Sequence, residues 1–407
     1  MKSARSSKKA IICLIVLTGI LFVMCLALSS LDVAFADNKN SEDIDKDLGQ
    51  AIEEIIERLD FESLQKFLNS LGEDEASFLS VNNIGETIKS LTNGEGGNFF
   101  ERLFEVLGKT FGRYFLSFLP SFITILIISI LKSMLSGLTA DFLDNSTTEV
   151  VHIVLYASII TVLMTGVVKI VALVVYTVNA MATFAEAVFP ILLTLLSAVG
   201  GTATVATYSP MLAVLSNGII AIIVKIIVPA FIAVVVFAVV GNLSKNVKLD
   251  KLTHLIKTAS TWLIGVVFGL FVTFLTAQGI TGGVVDKFGF NVAKFALSSY
   301  VPILGGYLSD GFDLISASIV VVKNAFGYFA AITVVGVVLF PLLKVLAFSL
   351  TLRFIAAIVE PIGDERVAKL LHTLAENMNL LITALAGVGF LFFIMLMLII
   401  GSCNMGI

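Results

Sequence analysis

Residues 380 to 401 read LLITALAGVGFLFFIMLMLIIG, an apolar run without a single charged side chain. A bilayer is crossed by roughly 20 apolar residues in a helix, so this run is long enough to span one. Three more stretches approach or reach that length: LSFLPSFITILIISIL (116–131), VVHIVLYASIITVLMTGVV (150–168) and ASTWLIGVVFGLFVTFLTA (259–277). Lipid offers the backbone no hydrogen-bond partner, so each of them has to satisfy its own amides as a helix. Across the whole chain of 407 residues 57% are apolar and 14% charged, with a mean hydropathy of +1.01. That is more apolar sequence than one soluble core buries. The fold class that follows is all-α: a polytopic helical membrane protein of about seven spans.

The first 36 residues have the layout of an export signal. Lys2, Arg5, Lys8 and Lys9 precede an apolar run from Ala10 to Leu28. Ala34 and Ala36 then supply the small residues a signal peptidase accepts before Asp37. Cleavage is expected after Ala36; an uncleaved anchor is the other reading, and both leave Asp37 outside the cytoplasm. Cys13 and Cys25 lie in this segment, so a processed chain keeps Cys403 alone and forms neither an internal disulfide nor a cysteine metal site.

Residues 37–98 are of another kind, with fifteen acidic and five basic side chains against a net positive remainder. Ile52, Ile55, Ile56 and Leu59, then Leu64, Phe67, Leu68 and Leu71, recur at helical spacing. The pattern predicts two short amphipathic helices, with Asp60 capping the second and Gly72 ending it. So small a segment makes a poor independent core, which points to docking on a partner or on the membrane domain; a solvated acidic spacer is the alternative. NGEGGN (93–98) reads as a linker. FFERLFEVLGKTFGRYF (99–115) puts Phe100, Leu103, Phe104 and Leu107 on one face, as in a helix lying at the membrane surface, and opens a region of first spans that runs to residue 179.

Two later regions, 180–291 and 292–407, carry matching landmarks. FPILLTLLSAVGG (189–201) is echoed 112 residues on by YVPILGGYLSDG (300–311), and thirty-nine residues after Pro190 and Pro302 come Pro229 and Pro341. Lys251-Leu252-Thr253-His254 resembles Lys369-Leu370-Leu371-His372, and a spanning run follows each. Ordered landmarks of this sort indicate an internal duplication. Short apolar segments interrupted by proline and glycine at corresponding positions of two halves point to a site of discontinuous helices near the bilayer midplane. Its candidate elements are Pro190, Gly200, Gly201, Pro229, Pro302, Gly305, Gly306 and Pro341. A simple kink or surface turn is the competing reading.

Charges within apolar sequence are the other candidates: Glu186, Lys225, Asp310, Asp313, Lys323 and Glu360. An intramembrane charge marks function by default. For Lys169, Lys225, Lys323 and Lys344 the favoured reading is instead a helix end, with the ammonium reaching the interface. GVVFG (265–269) offers a weak helix-packing face. The lysine-rich stretch SKNVKLDKLTHLIK (244–257) belongs in the cytoplasm by the positive-inside rule.

Enzyme motifs are poor. Gly108-Lys109-Thr110 follows an amphipathic helix and not a strand, and Leu103 stands where a phosphate-binding loop needs its first glycine. His152, His254 and His372 show no metal-ligand spacing, and the basic residues form no patch for nucleic acid. No cofactor is expected.

FPILLTLLSAVGG, the SKNVKLDKL connection ending at Trp262, TAQG (276–279), the run from Asp286 to Asp313, FPLLKVL (340–346) and EPIGDERV (360–367) together resemble the stage III sporulation protein AE family of endospore-forming bacteria. The resemblance implies a multi-pass protein of the mother-cell membrane that faces the forespore, within a multiprotein channel joining the two cells. It implies as partners membrane lipid, ring-forming exported subunits and a separate motor ATPase, with homo-oligomerisation open, and it brings no active-site residues. The class apart from this is a self-sufficient secondary transporter, which the broken-helix pattern alone would support.

Overall fold

The computed structural model describes residues 44–79, 83–92, 99–142, 145–243, 249–300, 305–362 and 365–402, and all regular structure among them is helical. The expected signal peptide, with Ala34, Ala36 and Asp37, lies outside the described residues, as do the linker 93–98 and Pro302.

Four short helices come first: α1 (Ile44–Arg58), α2 (Glu62–Asn69), α3 (Glu73–Leu79) and α4 (Ile84–Thr92). Among the described residues the acidic segment thus holds four helices where its apolar spacing predicted two. Phe61, not Asp60, holds the N-cap of α2; Asp60 stands one residue earlier, its carboxylate accepting the Glu62 amide at 2.9 Å. Gly72 ends nothing; α2 stops at Asn69, and Gly72 leads into α3.

The rest is built from long helices: α5 (Phe99–Phe142), α6 (Asn145–Ala198), α7 (Thr202–Ala213), α8 (Val228–Leu243), α9 (Asp250–Tyr300), α10 (Gly305–Val359) and α11 (Glu365–Gly401). Residues 99–115, expected as a separate surface helix, continue without a break into the first span. The stretch 312–359, readable as one to three crossings, is one helix. Among the described residues six helical stretches are long and apolar enough to cross a membrane.

Between α7 and α8 the chain stays helical but widens twice into i→i+5 turns, at Val214–Ile219 and Ile223–Ile227. The second ends just before Pro229, and a widened turn relieves the clash between a proline ring and the carbonyl four residues back. Pro190 and Pro341 likewise sit inside α6 and α10. The prolines therefore do not break these helices.

The centre is the α10–α11 pair. Of the most apolar part of α10, 78% is buried, and of α11 67%, against 22% for α5 and for the first half of α9. The pair is antiparallel: Val338 lies beside Gly389, and the Ser349 hydroxyl donates to the Ala375 carbonyl at 3.0 Å. Helix α9 runs the same way as α11, the Lys257 ammonium meeting the Glu376 carbonyl at 3.1 Å and Phe268 lying against Gly387.

Helices α1 to α4 are packed on the long helices. Phe67 meets Phe184 of α6 at 5.3 Å between ring centroids, and Phe61 and Phe78 meet Phe326 and Phe340 of α10 at 5.9 and 5.6 Å. Leu64 and Ile88 are fully buried. Of the two readings of this segment, docking on the membrane domain describes the structure and a free spacer does not.

Candidate functional site

The break in the first half of the duplicated pattern falls at Val199–Gly201, where α6 turns back into α7. Its geometry is a glycine C-cap: the Gly201 amide reaches the Leu196 carbonyl at 2.9 Å and the Gly200 amide the Ser197 carbonyl at 3.0 Å. Gly200 has φ of 92°, a left-handed conformation that costs side-chain-bearing residues steric strain.

The turn leaves the first amides of α7 without a local acceptor, because Gly201 holds the N-cap position and has no side chain to offer. Asp286 of α9 supplies one. Its buried carboxylate accepts the Ala203 amide at 2.8 Å and the Thr204 amide at 2.9 Å, the pair a local Ser or Asp would serve. A carboxylate at a helix N-terminus also meets the positive end of the backbone dipole. Sequence reasoning did not single out Asp286 as a site residue. Its one trace was negative, a helix start after Gly-Gly with no capping side chain.

Lys323 corrects an expectation. It lies mid-helix and fully buried, not at a helix end. Its ammonium donates to the Ile400 carbonyl at 3.1 Å and to the Ser402 carbonyl, at the end of α11 where carbonyls lack intrahelical partners. A cation there also faces the negative end of the helix dipole.

A third cluster joins the acidic segment to the spans. The Asp74 carboxylate accepts from the Arg113 guanidinium and from the Tyr114 hydroxyl, and the Lys344 ammonium stands 5.4 Å from the Tyr114 ring. Glu75 is packed into the same junction, and burial raises its pKa above the usual carboxylate value. The Tyr176 hydroxyl donates to the Ser70 carbonyl at 3.0 Å.

The remaining candidates do not gather at one place. Glu186 and Pro190 are on the exposed face of α6, Lys225 and Pro229 are exposed near the second widened turn, and Pro341 is buried in α10. Gly305, Gly306 and Asp310 lie in the first turns of α10. Asp313 is half-buried, and Glu360 is exposed in the short 3₁₀ turn after α10. The glycines of GVVFG face open space. What the described clusters do chemically is join helices by serving their ends.

Residues 82–403 match the protein family described as stage III sporulation protein AE. The protein of that name from Bacillus subtilis (strain 168) is 26% identical over 228 residues, which is 56% of this chain and 57% of that protein. The matched region thus spans a little over half the length of this curated relative. No solved structure matches the chain.

Proposed function

This chain belongs to the stage III sporulation protein AE family, and from that premise we propose that it is the multi-pass membrane core of a channel complex between mother cell and forespore. In this reading it is not an enzyme. It sits in the mother-cell membrane with the signal peptide removed and helices α1 to α4 on the forespore-facing side. Exported ring-forming subunits assemble on that side, and a separate ATPase supplies any ATP-driven step from the cytoplasm.

The observation that carries the reading is the docking of α1 to α4. Three aromatic pairs and the Asp74 cluster hold them on α5, α6 and α10, so segment and membrane helices form one body. Glu53, paired with Lys89, and Glu57, Glu73 and Glu86 remain exposed on it, acidic side chains suited to basic partners. A solute transporter would instead need its charges gathered around a midplane site. Lys323 is engaged with helix carbonyls, while Glu186 and Lys225 face outward. The matching landmarks are read as a parallel duplication, supported by the shared direction of α9 and α11 after their KLxH elements.

The test is co-purification from gently solubilised, mildly crosslinked sporulating cells through a carboxyl-terminal tag, with a Glu57→Lys, Glu73→Lys, Glu86→Lys variant alongside. Exported ring subunits and an ATPase should accompany the unaltered chain, and the variant should lose the exported subunits while keeping the ATPase. Recovery of the chain alone or as a simple homo-oligomer would overturn the channel reading in favour of the transporter.

A further inference from the structure

The apolar part of α6, Ile153–Ala198, has 46 residues, and that of the returning strand of helix, Thr202–Asn242, has 41. At 1.5 Å per residue these are about 69 and 62 Å long. The hydrocarbon core they would cross is only about 30 Å thick. Roughly half of each helix therefore stands outside it, and the exposed faces show which half.

On α6 the outward residues of the first half are Val150, Ile153, Val154, Ala157 and Val168, with Thr161 and Thr165, whose hydroxyls are tied back to the carbonyls four residues earlier. Lys169 follows, and from there the outward face turns polar: Tyr176, Asn179, Thr183, Glu186, Thr194 and Ser197. The returning helix shows the same change in reverse. Thr202, Ser209 and Asn217 are exposed before Lys225, and Ile226, Ile232, Val236 and Val240 after it, with Val214 the large apolar exception.

A second, independent observation agrees. The acidic segment touches α6 beyond Lys169, through Ser70 on Tyr176 and Phe67 on Phe184. Helix α2 carries exposed Glu62 and Lys66 and has no place in hydrocarbon.

We infer that α6 leaves the lipid at Lys169 and the chain re-enters it at Lys225, so that residues 176–217 form a water-exposed helical hairpin and the two ammonium groups meet the phosphates of the lipid headgroups. The Val199–Gly201 turn is then the tip of this hairpin and no part of a midplane site. Asp286 steadies the tip, and the lysines form a collar where each helix crosses the surface. The hairpin shares the compartment of α1 to α4, and for that compartment alone the inference rests on the proposed function.

The experiment places single cysteines at Asn179, Glu186, Thr194 and Ser209, and at Val168, Ile232 and Val236, in the full-length chain with Cys13, Cys25 and Cys403 replaced. Intact protoplasts are treated with a membrane-impermeant maleimide, and a parallel sample is labelled in detergent. The first four should label in intact protoplasts to at least half their detergent level, and the last three to less than a tenth. All seven positions are exposed on the fold, so the detergent sample and a monodisperse elution profile identify any variant that misfolds. Protection of Asn179, Glu186, Thr194 and Ser209 in intact protoplasts and also in inside-out vesicles would overturn the projecting hairpin. Labelling of those four in inside-out vesicles only would keep the hairpin and overturn the exported orientation.

Discussion

At the scale of single residues, the two best-placed polar groups serve the ends of helices that lie far from them in sequence. Asp286→Ala should destabilise the protein by about 1–2 kcal/mol, the usual cost of losing an N-cap, and Asp286→Asn by less because one acceptor remains. Protease cleavage between Gly200 and Thr204 in the detergent-solubilised protein, which should rise in the same order, reads this directly. Lys323→Met should cost about 1–3 kcal/mol, since it strands two buried carbonyls that the ammonium now serves. Thermal unfolding measures that loss; full stability with abolished function would instead mark Lys323 as part of an ion path. Neither role was legible in the sequence. Lys323 looked like a snorkelling lysine because the run SIVVVKNAFG says how apolar its neighbours are but not that a helix end 77 residues on faces it.

The helices themselves were the most readable feature, and their interruptions the least. Apolar length determined that these segments are helices, and six stretches among the described residues are long and apolar enough to cross a membrane. The four prolines expected to break the membrane segments include three that lie within helices, and at Pro229 a widened turn absorbs what the proline removes. Gly200 is different. Gly200→Ala should destabilise the turn by about 1 kcal/mol, since its φ lies in the left-handed region. Gly387→Val addresses another contact between elements: a side chain there would occupy the space of the Phe268 ring, so it should push α9 from α11. Crosslinking between cysteines at Lys257 and Glu376, efficient in the parent, should then fall several-fold.

For the whole molecule, the decisive event is the packing of an acidic segment onto membrane helices. Phe67→Ala should cost about 3–5 kcal/mol if the site does not collapse, because the ring is buried against Phe184. Hydrogen exchange in α1 to α4 should rise well above that in α10. The docking should also depend on pH through Glu75, whose carboxyl is pushed above its ordinary 4.5 chiefly by burial. A raised carboxyl value means docking favours the protonated form. The contribution is therefore fully present below pH 4.5 and is lost as the pH rises through the docked-state value. Glu75→Gln should make docking firmer near neutral pH and flatten its dependence across the acid range, as followed by exchange in α3. By itself the sequence determined the class of the protein and its family phrases, because hydrophobic length and charge are local properties that lipid and water read segment by segment. Only the tertiary structure decided that the acidic helices lie on α6 and α10, that Asp286 caps α7 and that Lys323 closes α11. Each of those depends on which distant backbone groups are left unsatisfied once the helices are side by side, and no stretch of sequence states that alone.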